Sequence, residues 1–251
     1  MKISNEFSIY KKLFNFGIAA LLFFLFFYTF FFGQAYDFSA IWNYRALFIQ
    51  GWITTIWISA ASLALSFIIG LISALARRSR LLVLRYLALI YIELIRGTPL
   101  LVQILFFFYV VAFAAGIENR YLVGILTLSL FSGAYIAEMI RSGIDSISQS
   151  QLDSARSIGL TRAQTYRFVI FPQAFRQVLP PLAGQFASLI KDSSLLSIIG
   201  IAELTNNAQQ VNSATYSTLE SFLPLAAGYL VLTLPISVWS KYLETRYAYA
   251  T

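Results

Sequence analysis

The sequence predicts an all-α integral membrane protein, and three observations carry this prediction. Of its 251 residues, 59% are hydrophobic and only 12% are charged, which is too apolar for a water-soluble domain of this length. Apolar runs of about 20 residues recur along the chain, the length that an α-helix needs to cross a bilayer. Basic side chains also concentrate in alternate loops, as they do in multi-pass membrane proteins.

We predict six membrane helices from these runs, at residues 14–32, 46–76, 97–117, 122–147, 182–202 and 221–240. The fourth continues through Glu138 and Arg141, and the fifth is interrupted by Lys191 and Asp192. The second run is rich in alanine and serine, which let helices approach closely in lipid.

The charge distribution predicts that both termini lie in the cytoplasm. With the N-terminus inside, fourteen of the 18 Lys and Arg residues fall on the inner side, and only Arg45 and Arg120 fall clearly outside. The net charge of +7 is therefore explained by topology and by attraction to anionic membrane lipid, and nucleic acid is not an expected partner.

Residues 1–36 are interpreted as a separate N-terminal anchor helix with a Phe-rich surface. A basic start before an apolar run also resembles a signal peptide. The 19 residues of the run exceed the usual signal-peptide core, and GQAYDF is a mediocre cleavage site, so a retained helix is favoured.

Several chemistries are excluded or disfavoured by residues that the sequence lacks. There is no cysteine and no histidine, which excludes disulfides and argues against a metal site or a histidine-based acid–base relay. No phosphate-binding loop of the form G-x-x-x-x-G-K-[ST] occurs, so the chain is not itself an ATPase. We expect no catalytic residues and no enzyme activity.

A helix break is predicted at IRGTPLL. Gly97 suits a left-handed helix end, Thr98 an N-cap and Pro99 the first position of the next helix. Residues 81–96 are then interfacial or steeply kinked, and residues 99–115 form the span.

A polar, basic loop follows the fourth span, at residues 148–180. Ser150 with Asp153, and Thr161 with Gln164, have the spacing of capping boxes, and Gly159 suits the turn between two short helices. Pro172 is expected to end the second helix, and Pro180 and Pro181 to start the next span. The helix–turn–helix either fits a partner's groove or rests on lipid headgroups.

The residues of this loop resemble the cytoplasmic motif of ABC importer permeases, which reads Glu-Ala-Ala, three residues, Gly, nine residues, Ile, one residue, Leu-Pro. The spacing is kept, although four letters differ, by Asp153, Ser154, Ala155, Gly159, Val169, Phe171 and Pro172. The stretches IELIRGTPLLVQ, SGAYIAEMIRSGIDSI and KDSSLLSIIGIAELT resemble the polar amino acid permeases of the glutamine, histidine, arginine and glutamate type. This resemblance covers about residues 40–245.

The resemblance implies a type I ABC importer fold of five core helices, at residues 37–251, with one extra N-terminal helix. It implies a bacterial cytoplasmic (inner) membrane protein that pairs with itself or a sister permease. Two ATP-binding subunits would dock on Asp153, Ser154, Ala155, Gly159, Phe171 and Pro172, and a periplasmic or tethered binding protein would deliver a polar amino acid. ATP and Mg would bind to the partner ATPase, and this chain would hold no cofactor.

Charged residues inside predicted spans are candidates for the substrate pathway, because burying them in lipid is costly. They are Glu93, Arg96, Glu138, Lys191 and Asp192, with Arg141 beside them. The pairs Glu93–Arg96 and Glu138–Arg141 have i, i+3 spacing, so each pair can also neutralise itself on one helix.

Three rival functions remain at this point. A gradient-driven secondary amino acid transporter would show helix breaks in both halves, and only one break is found. A membrane enzyme would need a catalytic constellation, and none is clustered in the sequence. A non-transporting anchor for an ATPase would keep the loop and dispense with Glu138. The polar residues 203–220 lie outside in this topology, either contacting the binding protein or simply solvated.

Overall fold

The structure is a computed structural model that describes residues 3–31 and 36–247. All regular secondary structure in these residues is helical. The chain divides into two compact units between Phe38 and Ser39. The first contains one helix, α1 (Ile3–Phe31), and the second contains the remaining helices.

The second unit consists of ten α-helices over the described residues. They are α2 (Ser39–Asn43), α3 (Arg45–Arg77), α4 (Leu82–Gly97), α5 (Leu100–Phe106), α6 (Arg120–Asp145), α7 (Gln149–Ser157), α8 (Arg162–Thr165), α9 (Phe171–Asp192), α10 (Leu204–Thr215) and α11 (Thr218–Tyr247). A π-helical segment, Phe107–Ala112, continues α5, and another, Tyr166–Ile170, joins α8 to α9. A 3₁₀ helix, Ser193–Ile199, follows α9.

Three described helices, α3, α6 and α11, are long and apolar enough to cross a membrane by themselves. A fourth span arises if α4 and the α5 segment, bent by 110°, count as one. The six predicted spans differ from this result in two places. The run 182–202 is divided because the regular α-helix ends at Asp192, and the run 97–117 gives a helix that counts as a span only together with α4. The run 14–32 lies in α1 as far as Phe31, and its last residue lies outside the described residues.

The helix break after α4 lies where the sequence predicts it, but the residues that end α4 and cap α5 do not have the predicted roles. Gly97 is the last residue of α4 and does not have the positive φ that was predicted. Pro99, not Thr98, is the N-cap of α5. The buried amide of Gln103 donates to the carbonyl of Ile95 at 2.7 Å and thus satisfies a carbonyl at the end of α4.

The core of the second unit is the close contact between α3 and α6. Small residues along α3 are buried: Gly51, which faces α10, and Ser59, Ser62, Ser66, Gly70 and Ser73. A Cβ atom on Gly70 would lie 2.6 Å from Ile136, and one on Gly133 would lie 2.9 Å from Ile69. The serines were predicted to mediate packing, and the structure confirms that they are buried.

The two ends of this bundle differ in character. At one end, called here the loop end, α3 and α6 finish, α9 begins and residues 148–170 connect them. At the opposite end α10 packs on α3, where Asn207 donates to the carbonyl of Leu47 at 2.8 Å. Between the ends, an apolar core joins Ile58, Ile104, Leu128, Leu189, Leu196 and their buried neighbours.

Candidate functional site

The carboxylate of Glu138 lies at the centre of an ionic cluster near the loop end. Arg77, the last residue of α3, donates to Oε2 at 2.7 Å. Arg141, one turn further along α6, donates to Oε1 at 2.6 Å. Arg96 of α4 approaches Oε2 at 3.7 Å. Both carboxylate oxygens are therefore engaged, and the cluster holds the ends of three helices together.

A second carboxylate, Asp145, extends the cluster to the end of α6. Its two oxygens pair with Arg78 at 3.2 Å and with Arg141 at 2.7 Å. Arg141 consequently bridges both acids. Because these side chains are partly exposed, each ion pair alone contributes little to stability. The cluster connects the helices because its members share the same two carboxylates.

A cavity of about 600 Å³ opens beside Glu138, between α6, α9 and the end of α11. Its charged lining residues are Arg96, Glu138, Arg141, Arg176 and Glu244. The guanidinium of Arg96 lies 5.6 Å from the ring centre of Tyr135, a cation–π contact. The volume lies within the range of small-molecule sites, and the charges suit a small zwitterion.

Two prolines shape the polar wall of this cavity. Pro180 and Pro181 lie inside α9 and line the cavity. Because proline lacks an N–H, the carbonyls of Arg176 and Gln177 cannot receive the usual helical hydrogen bond from these positions. The prediction that these prolines start a helix is wrong, since α9 begins nine residues earlier, at Phe171.

The structure brings together some of the predicted pathway residues and separates others. Glu138 and Arg96 meet in the cluster, although the i, i+3 spacing also allowed Arg96 to pair with Glu93. Glu93 is exposed on α4 and forms no ion pair with any residue that the structure describes. Lys191 and Asp192 lie at the far end of α9, about 22 Å of helix rise beyond Arg176.

Several residues of the site escaped the sequence analysis. Arg77 was used only as one of the basic residues that predict the membrane topology. Asp145, Arg176 and Glu244 were not identified as site residues. The i, i+4 spacing of Arg141 and Asp145 was a usable signal for one of them.

The helix–turn–helix predicted at residues 148–180 is present. The turn after α7 is a complete Schellman motif: Gly159 donates to the carbonyl of Arg156 at 2.9 Å, and Leu160 to that of Ala155 at 3.1 Å. Gly159 has φ of +79°, which confirms its predicted role in the turn. Thr161 and Gln164 form the predicted capping box of α8.

The predicted capping box at the start of α7 is wrong. Ser148 is the N-cap and makes no side-chain cap bond. Asp153 instead lies inside the helix, where it accepts from Gln149 at 3.0 Å and from Arg156 at 3.1 Å. Asp153 and Ser154 are exposed, whereas Ala155 is buried.

Pro172 does not end the second helix as predicted. A π-helical turn precedes it, and Phe171 donates to the carbonyl of Tyr166, five residues back. A proline ring would clash with the carbonyl four residues earlier in a regular α-helix, and a π-helical turn is one way to relieve this clash. The helix therefore continues from Arg162 to Asp192.

The loop exposes apolar side chains beside its polar ones. Ile158 is 76% exposed and Phe171 is 67% exposed, and Phe171 stacks on Phe175 with ring centres 6.1 Å apart. A shallow cavity of about 340 Å³ lies between α7 and the following helix, bounded by Ala155, Ile158, Leu160, Val169 and polar residues of α7. Exposed apolar groups on a polar projection are typical of a surface that binds another protein.

The opposite end holds a buried acid. Glu203 is completely buried and caps α10 by accepting from the backbone N–H groups of Thr205 and Asn206, at 2.8 and 2.7 Å. The hydroxyl of Tyr229 donates to it at 2.8 Å. Burial raises the pKa of the Glu203 carboxyl, and these hydrogen bonds oppose that effect. Glu203 is thus a structural cap and not part of a solvated loop.

Comparison with known proteins adds sequence and fold matches. Residues 66–249 match the family described as binding-protein-dependent transport system inner membrane component. The glutamine transport system permease protein GlnP of Escherichia coli K12 is 38% identical over 213 residues, covering 84% of this chain and 97% of that protein. The probable glutamine ABC transporter permease protein GlnM of Bacillus subtilis is 37% identical over 209 residues, covering 83% of this chain and 96% of that protein.

Solved structures match as well. A crystal structure of an amino acid ABC transporter with histidines has a TM-score of 0.79 and 37% identity, and the match covers 85% of this chain and 100% of that one. An inward-facing structure of the MetNI methionine ABC transporter has a TM-score of 0.68 at 17% identity, over 82% and 98% of the two chains. This second match is a likeness of fold alone.

Proposed function

The chain belongs to the family of binding-protein-dependent transport system inner membrane components and is the permease subunit of an ABC amino acid importer, and we propose that residues 148–180 couple it to a separate ATPase. The fold is that of a type I importer. This membership sets aside a gradient-driven secondary transporter, since the matched relatives are ABC permeases.

The observation that carries the coupling proposal is the continuous helix from Arg162 to Asp192. Its first turns adjoin the exposed helix α7, and its middle, from Arg176 to Pro181, forms a wall of the cavity at Glu138. These two regions are separated by about 21 Å of helix rise. A push on the loop is therefore transmitted along one helix to the site where a substrate would lie.

In this mechanism ATP and Mg bind only to the partner, and this chain holds no cofactor and performs no catalysis. Two ATPase subunits dock on two permease loops, through Asp153, Ser154, Ala155, Gly159, Phe171 and Pro172. Closure of the ATPase dimer moves the loops and shifts the wall of α9 relative to α6. The exposed apolar side chains at Ile158 and Phe171 support this docking role.

We propose a polar amino acid as the substrate, because the matched relatives are named for glutamine transport and a matched structure contains histidines. The α-carboxylate would meet Arg96 or Arg176, and the ammonium would meet a carboxylate of the same cavity. Glu138 and Arg96 are the strongest pathway candidates. Glu93, Lys191 and Asp192 stay predictions, since they lie outside this cavity.

The remaining partners follow from the family. A substrate-binding protein, periplasmic or tethered, would deliver the amino acid to the opposite end of the bundle, and a second permease, identical or a sister chain, would complete the pore. We place the chain in a bacterial cytoplasmic membrane with both termini and the loop end in the cytoplasm, because the arginines of the α3–α4 turn and of the loop gather at that end.

A pull-down of the tagged protein from membranes of its native host tests the coupling proposal. We expect recovery of a nucleotide-binding subunit whose ATP hydrolysis responds to a polar amino acid. Scrambling residues 153–159 should abolish this recovery without lowering the amount of permease in the membrane. Recovery of the ATPase with the scrambled loop would show that docking occurs elsewhere.

A further inference from the structure

A second charged cavity, of about 420 Å³, lies at the turn between α3 and α4 and has no role in the coupling mechanism. It is lined by Arg77, Arg78, Ser79, Arg85, Arg141 and Asp145. Asp145 and the neighbouring Glu138 are the carboxylates that pair with Arg77, Arg78 and Arg141. Four arginines thus face two carboxylates, which leaves a surplus of positive charge.

Two arginines of this turn have no counter-ion in the part of the chain that the structure describes. Arg85, in the first turn of α4, is exposed and forms no ion pair there. Arg80, between the two helices, is also exposed and unpaired among the described residues. No acidic residue lies in the first turn of α4. The turn therefore presents positive charge that the described residues leave unmatched.

The surface next to the cavity is apolar. In the first two turns of α4, Leu82 is 62% exposed, Val83 is 71% exposed, and Tyr86 and Leu87 are similarly exposed. The last turns of α3 expose Ile72 and Leu75. Because the apolar span of α3 ends at Arg77, the arginines lie where a bilayer changes from acyl chains to headgroups.

We propose that this cavity binds the phosphate headgroup of an anionic phospholipid, with the acyl chains on the exposed apolar face of α4. Arginine forms bidentate, charge-assisted hydrogen bonds with phosphate oxygens, and Arg85 and Arg80 supply charges that the protein leaves unmatched. A basic pocket between helices at the membrane surface is the form in which such headgroups are recognised. A purely apolar partner would cover α4 and leave the arginines uncompensated.

The test is native mass spectrometry of the detergent-purified protein with phosphatidylglycerol or phosphatidylcholine. We expect tighter binding of phosphatidylglycerol, and a loss of at least about tenfold when Arg80→Gln and Arg85→Gln are combined. Arg162→Gln, which removes an exposed arginine from α8, is the control and should leave binding unchanged. A single Arg85→Lys variant, which keeps the charge, should lose less affinity than the double variant.

Three results would overturn the proposal. The first is equal binding of the two lipids by the unmodified protein. The second is displacement of phosphatidylglycerol by inorganic phosphate or glycerol 3-phosphate at similar concentrations, which would make the ligand a free phosphate. The third is unchanged lipid binding in the double variant together with loss of the co-purified ATPase subunit, which would make the turn a protein-docking surface. Thermal unfolding of each variant shows whether it is folded.

Discussion

At the scale of single residues, Glu138 is the carboxylate that neutralises most of the arginines in the ionic cluster. Arg77, Arg96 and Arg141 come from three helices and share its two oxygens. Removing this carboxylate leaves three guanidinium groups facing one another beside the cavity, with Asp145 as the remaining acid partner of Arg141. Removing one charge from such a network destabilises the protein by more than the energy of one ion pair, because the remaining charges are left uncompensated.

We predict that Glu138→Gln lowers amino acid uptake by about tenfold or more, because it removes charge-assisted hydrogen bonds at the cavity. Assembly with the ATPase should change less than uptake. Asp145→Asn is the matched control, since it removes an equal charge from the same network but does not line that cavity. Uptake in vesicles and co-purification of the ATPase are the two measurements, and equal effects of both variants would reduce Glu138 to a structural role.

The backbone conformation of Gly159, and not a lack of space around it, explains why glycine is needed at this turn. A Cβ atom there would have no neighbour within 4 Å, yet φ is +79°. We predict that Gly159→Pro abolishes coupling while insertion stays intact, because proline cannot adopt this φ and lacks the N–H that closes the turn.

Gly159→Asn is the conservative comparison, since asparagine tolerates the left-handed region. It should retain most amino-acid-stimulated ATP hydrolysis in reconstituted complexes. If the proline variant hydrolyses ATP and transports normally, the turn does not couple the two subunits.

At the scale of elements, α3 and α6 form the rigid pair around which the other helices are arranged. Their contact is close because glycine and serine replace larger side chains on the facing surfaces. Gly70 lies where Ile136 and the backbone of Gly133 approach most nearly. This contact lies between the apolar core and the ionic cluster. A change in the distance between α3 and α6 would therefore disturb the packing of the core and the ion pairs of the cluster.

We predict that Gly70→Ala destabilises the protein, because the added methyl group would lie 2.6 Å from Ile136 and 3.0 Å from the carbonyl of Gly133. Overpacking of this kind costs about 1–3 kcal/mol, or roughly 2–4 °C in Tm per kcal/mol. Gly184→Ala in α9 is the control, since its methyl group would meet only Ser240, at 3.7 Å. A fluorescence-detected melt in detergent compares them, and equal Tm values would mean that α3 and α6 are less tightly packed.

At the scale of the whole molecule, α1 and the permease core belong to two different compact units of the chain. The chain divides between Phe38 and Ser39, and the family match begins later still, at residue 66. The second unit has its own core and both cavities. The interpretation of residues 1–36 as an added anchor helix stays a prediction.

We predict that deleting residues 2–36 leaves a permease that inserts, recruits the ATPase and transports, because the fold and the candidate sites lie in the second unit. Uptake per mole of inserted protein should stay within about twofold of the full-length chain. Membrane amounts measured by immunoblot provide the normalisation. Loss of uptake with normal insertion would assign α1 a part in transport.

The sequence by itself determined the properties that depend on local pattern. Helical class and the positions of α3, α6 and α11 follow from apolar runs, because a bilayer imposes a length on any helix that crosses it. The turn at Gly159 and the capping box at Thr161 were predictable for a similar reason, since their hydrogen bonds join residues three to five apart. The resemblance of the loop motif, together with that of three further stretches, also led to the correct family.

Only the tertiary structure decided which distant charges meet. Glu138 pairs with Arg77, 61 residues away, and Arg96 turns to Glu138 and not to Glu93. Helix spacing on one chain segment cannot predict this, because ion pairs at i, i+3 compete with partners on neighbouring helices. The continuity of α9 through three prolines was likewise not predicted, since the π-helical turn before Pro172 is a departure from regular helix that the local residue pattern does not specify.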